Sequence, residues 1–98
     1  MEDVRGAEVK NVDQAAAREL ALFAVNDGQL YRSRILPIIA NLQRKKKRGI
    51  YNPLLALKLW RYAADDAAQR YAKEYGGTWH ALFSVPTREA AAVEIADY

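Results

Sequence analysis

Where the apolar residues of this chain form a pattern, they recur at three- and four-residue spacing, and nowhere do they alternate. A strand with one buried face needs alternation at period two, so the core has to be assembled from helices. With 98 residues, the chain can hold one such core and is too short for two. The expected fold is all-α: a single compact bundle of about four helices plus a short helical turn, with no β-sheet.

Stop and start signals divide the pattern into elements. Residues 1–10 are polar and unpatterned and are expected to form a flexible N-terminal arm, leaving 11–98 as one helical domain. Asn11 or Asp13 can cap the first helix, with Gln14 in the capping-box position relative to Asn11. That helix should run to about Val25, burying Leu20, Phe23 and Ala24, and stop at Asn26-Asp27-Gly28, residues that tolerate left-handed backbone. A second helix, from about Gln29 to Arg48, places Tyr31, Ile35, Ile38, Ile39 and Leu42 on one face. Pro37 lies inside it, where a missing N–H and a ring clash disturb the ladder. Because the stripe keeps its phase past the proline, the expectation is one kinked helix. Gly49 stops it, and Asn52-Pro53 reads as N-cap and N1 proline of a third helix, Pro53 to Tyr75. Ala56, Trp60, Ala63, Ala64, Ala67, Tyr71 and Tyr75 form its expected buried face, with Asp66–Arg70 and Arg70–Glu74 as exposed i, i+4 pairs. After Gly76-Gly77 come a short turn around Thr78 to Phe83 and a last helix from about Pro86 or Thr87 to the C-terminus. Leu54, Leu55 and Val93 fall off these stripes and are available for contact with a second copy.

Charge is sorted along the chain. From Gly28 to Ala64 there are nine basic residues and no Asp or Glu; the remaining six bases share the flanks with all twelve acids. Five of the nine are consecutive: Arg44, Lys45, Lys46, Lys47 and Arg48. A field this lopsided favours polyanionic or acidic partners. The candidate nucleic-acid contact comprises Arg34, those five residues, Lys58 and Arg61, acting on the phosphate backbone, because lysines meet phosphates as point charges and read no base edges. A plainer reading is a solvated helix end whose cations complement the macrodipole. A helix-turn-helix reading is disfavoured because the would-be recognition helix opens with Pro53-Leu54-Leu55-Ala56-Leu57, which offers bases no hydrogen bonds. Tyr51, in the loop after the basic run, and Trp79 are candidate anchors, for an unpaired base in the case of Tyr51 or for a protein partner.

The composition argues against several chemistries. Without cysteine there are no disulfides, thiolate metal sites or cysteine nucleophiles. His80 is the only histidine and has no ligand partners beside it in sequence. Asp65 and Asp66 are adjacent on a helix and diverge, and no glycine loop cradles phosphate. No enzyme activity, metal or cofactor is expected. No apolar run approaches membrane-spanning length, and the N-terminus lacks a signal-peptide pattern, so a cytoplasmic protein without a membrane partner is expected.

The succession Leu30-Tyr31-Arg32-Ser33-Arg34, Pro37-Ile38-Ile39, the basic run, Leu57-Lys58-Leu59-Trp60-Arg61-Tyr62 and Tyr71-Ala72-Lys73-Glu74-Tyr75 resembles small phage- and prophage-encoded helical proteins of unassigned function. The likeness spans roughly Leu20 to Tyr98 and implies a viral accessory protein in a bacterial host cytoplasm, with no catalytic residues to carry over. The function expected from these readings is non-enzymatic nucleic-acid binding. Two alternatives stand beside it: an inhibitor or adaptor acting on an acidic or nucleic-acid-binding host protein, and a small homo-oligomeric structural component.

Overall fold

A computed structural model describes residues 12–98, and within them the chain is all-α. The N-terminal arm and the Asn11 cap lie outside the described residues. Helix α1 spans Gln14–Asn26, and its N-cap is Asp13, whose carboxylate accepts the Ala16 N–H at 3.0 Å. Helix α2 is composite: an α-helical turn at Gly28–Leu30, a π-helical stretch at Tyr31–Ile35 and an α-helical remainder at Leu36–Lys47. Helix α3 runs Pro53–Tyr75, capped by Asn52, whose side chain accepts the Leu54 and Leu55 N–H groups. Helix α4 is the single turn Trp79–Leu82, and α5 spans Val85–Ala96 behind the N-cap Ser84, slightly earlier than its expected start.

The break after α1 differs from expectation. Gly28 does not adopt positive φ; it opens α2. Asp27 makes the break instead, in extended backbone at φ −81°, ψ 106°. Its N–H donates to the Phe23 carbonyl and its carboxylate accepts the Leu30 N–H, so one residue closes α1 and caps α2. An aspartate satisfies both orphan ends without a left-handed residue.

Pro37 neither breaks α2 nor leaves its stripe in simple phase. The ladder widens just before it, where the Leu36 N–H donates to the Tyr31 carbonyl five residues back, so the proline falls in the first turn of the α-helical remainder. There its missing N–H costs little. The extra residue in the π-turn also rotates Leu30 onto the face of Ile35, Ile38 and Leu42, all buried. In an unbroken α-helix Leu30 and Ile35 would stand about 140° apart. Leu30 therefore takes the core place expected of Tyr31, which is exposed, and Ile39 is half-buried.

Helices α1, α3 and α5 pack against one another as a trio. Their shared faces are mostly alanine: Ala17, Ala21 and Ala24 on α1, Ala63, Ala64, Ala67 and Ala68 on α3, Ala91 and Ala92 on α5. Small faces let helix axes approach closely, which leaves the bulk of the core to Leu20, Trp60, Phe83 and Ile95. A junction at one end is polar: the Asp13 N–H donates to the Thr87 hydroxyl at 3.1 Å, which also bonds Ser84 at 2.8 Å. Tyr71 is half-buried and stands edge-on to Phe23 and Phe83. The Glu19 carboxylate accepts its hydroxyl and, with lesser help from burial, holds the phenol above its ordinary 10.0. Tyr75, expected in the core, is exposed at the C-terminal end of α3. The half of α2 that carries the basic run leans chiefly on α3.

Candidate functional site

The basic run ends α2 in defined geometry. Gly49 adopts φ +75°, its N–H donates to the Lys46 carbonyl at 3.1 Å, and the Ile50 N–H donates to the Lys45 carbonyl at 2.9 Å. This pair of bonds is the Schellman closure, which needs a left-handed residue and so favours glycine. Arg44 to Arg48 therefore ride on an ordered last turn and its cap, about 6 Å of helix axis.

Helical phase distributes the five charges. Arg44, Lys47 and Arg48 project away from the Ile38–Leu42 face and are exposed. Lys45 lies at the edge of that face and is the one half-buried member of the run, a place where a long side chain can cover apolar surface with its stem. Lys46 stands over the Tyr51 ring, 4.8 Å from its centroid, a cation–π contact that holds the loop against the helix end. Among the described residues no carboxylate forms an ion pair with any of the five. Ile50 and Tyr51 are exposed beside them.

The other expected members separate from this cluster. Arg34 pairs with Asp66 at 3.5 Å, and Asp66 also holds Arg70 at 3.6 Å, the expected i, i+4 pair. Arg70 turns its remaining reach to Gln29, at 3.3 Å. Arg61 pairs with Glu89 on α5 at 3.3 Å. Lys58 stands with Arg61 and Glu89 along a groove between α3 and α5 lined by Leu54, Leu55 and Val93, the three residues that fell off the core stripes. Arg34 and Arg61 thus hold acids from outside the acid-free window; of the seven window cations left without an ion pair among the described residues, five form the run at the helix end, and Arg32 and Lys58 lie apart from it.

Trp79 is half-buried rather than free. The Arg88 guanidinium lies 4.6 Å from its ring centroid and the His80 ring 3.8 Å. Arg88, which sequence reasoning passed over, is itself buried. It pairs with Asp65 at 2.8 Å and donates to the Phe83 carbonyl. A signal existed: Arg88 precedes Ala91, Ala92 and Ile95 at i+3, i+4 and i+7, inside the core stripe of α5. The pairing of Asp66 with Arg34 and of Glu89 with Arg61 had none, since pairing across helices leaves no local trace. Among the described residues, no three His, Asp or Glu side chains gather as a metal site, and no helix is long and apolar enough to cross a membrane. No family model, curated protein or solved structure matches the chain.

Proposed function

We propose that this chain is a non-enzymatic helical module, of the phage accessory type its sequence resembles, that binds nucleic acid by its phosphate backbone. The observation that carries the reading is the ordered, five-cation end of α2 with no acidic partner among the described residues. Contact falls to Arg44, Lys45, Lys46, Lys47 and Arg48, with Tyr51 beside them as a stacking platform for an unpaired base. Lys58 stands apart, and Arg34 and Arg61 serve the fold. A fixed helix end presents its charges without first ordering a loose segment, which lowers the cost of binding. Three lysines and two arginines grouped this way suit phosphates and carry little base discrimination.

The test is binding to labelled single-stranded DNA, duplex DNA and RNA across about 50 to 300 mM salt, beside a variant with Arg44 to Arg48 replaced by Gln. Five phosphates neutralised on a duplex give a slope of roughly −4 to −5 in log K against log salt. The variant should lose most of that slope and most of the affinity. A flat salt response, or no binding by folded protein at the lowest salt, overturns the proposal.

A further inference from the structure

Where α2 crosses the trio, the packing is incomplete. A pocket of about 350 Å³ opens between the end of α1, the π-helical part of α2, α3 and the end of α5. Its floor is Ile35, Trp60 and Ile95, all buried; its walls, Val25 and Ile39, are half-buried; Tyr31 and Tyr98 stand exposed at the rim. Protein interiors are otherwise packed with few voids larger than a water, and apolar cavities of about 150 Å³ already hold benzene. This one lies in the range of small-molecule sites.

Two further observations set it apart from a packing fault. The π-helical stretch begins at Tyr31 and ends at Ile35, so both its ends line the pocket, and π-turns inserted in α-helices recur at functional sites. The same turn moves Leu30 into the core and Tyr31 out to the rim, clearing a volume that a tyrosine at core phase would occupy. The lining also specifies chemistry. No lining side chain carries a charge, so an ion entering would lose hydration with no side-chain counter-charge to replace it. Polar side-chain groups are confined to two phenols and one indole, so three of the lining residues are aromatic.

We propose that this pocket binds a small, neutral, largely apolar molecule of about two to three rings, independently of phosphate binding at the far end of α2. The experiment uses the full chain and N-phenyl-1-naphthylamine, a neutral two-ring-system probe that brightens out of water. Saturable brightening insensitive to salt is expected, with energy transfer from tryptophan. Val25→Phe and Ile39→Phe fill the pocket from two different helices, and each should weaken the probe by about tenfold or more because the new ring takes its volume. Leu54→Asp, in the α3–α5 groove, should leave binding unchanged. Far-UV circular dichroism confirms that each variant is folded; if Val25→Phe is not, the half-exposed Ile39 position decides. No saturable brightening of the wild type overturns the proposal. So does brightening that survives filling, or that Leu54→Asp removes, because the probe then sits elsewhere.

Discussion

Arg88 brings a cation into the core stripe of α5, and its neighbours account for the charge. Asp65 pairs with it at 2.8 Å, the Phe83 carbonyl accepts from it, and the Trp79 ring lies against its guanidinium. The Arg88 side chain is 9% exposed and that of Asp65 31%, so the pair sits between the buried and surface regimes. Removing one partner of a buried pair strands the other charge, whereas an exposed pair contributes little. Asp65→Ala is therefore expected to cost about 2–3 kcal/mol, and Arg61→Ala, which breaks the exposed pair with Glu89, under about 1 kcal/mol. Urea unfolding of both variants at neutral pH checks this; equal losses would mean that Arg88 finds water or another acceptor when Asp65 is gone. At this scale the sequence is only partly readable. Asp13 is legible as a cap because its partner, Ala16, lies three residues away, whereas Asp27, which caps Leu30 at the same spacing, was read as part of a left-handed stop. Arg88 is not legible in this way, because charge argues for the surface and only helical phase argues for the core.

An element's ends were more legible than its interior. Gly49, Asn52-Pro53 and Gly76-Gly77 mark helix boundaries through local geometry that few other residues satisfy. The interior of α2 was misread at one residue because a fixed 100° step was carried through a π-turn, which puts Tyr31 where Leu30 belongs. The clue was the five-residue gap from Leu30 to Ile35 just ahead of Pro37. Gly49 ties the boundary to function. Its φ of +75° is strained for any residue with a Cβ, although a Cβ there would meet nothing within 4 Å. Gly49→Ala thus imposes backbone strain alone, about 1 kcal/mol, and that strain is relieved if the last turn of α2 frays. Binding would then have to reorder the turn, so affinity for duplex DNA is expected to fall by up to about fivefold with every positive charge retained. Titration of the variant beside wild type decides the point. An unchanged affinity would mean that the basic run acts as a loose string and that its helical order is incidental.

Across the whole molecule, the all-α class was readable because it depends on local periodicity. The choice of partners was not, because alanine faces on α1, α3 and α5 carry almost no information about which meets which. The same ignorance of partners inflated the candidate site. Eight cations drawn from an acid-free window look like one patch until the chain folds and sets Asp66 beside Arg34 and Glu89 beside Arg61. The net charge of +3 cannot distinguish a diffuse field from a local contact, since it sums both. The salt slope can, because it counts the counterions released at phosphates the protein touches. If the field of the molecule governs binding, Arg34→Gln and Arg61→Gln should lower the slope as much as Arg44→Gln or Lys47→Gln. If the α2 end is the contact, each substitution within Arg44 to Arg48 should reduce the slope on duplex DNA by about 0.9, and the two paired arginines should leave it unchanged. The expected result is the second, because Arg61 is engaged by Glu89 and Arg34 by the Asp66 carboxylate it shares with Arg70, apart from the cations at the α2 end. Single-site salt titrations of these four variants measure it directly. A reduction at Arg61 matching that at Lys47 would put the phosphate path along α3, past the groove with Lys58, and away from the helix end.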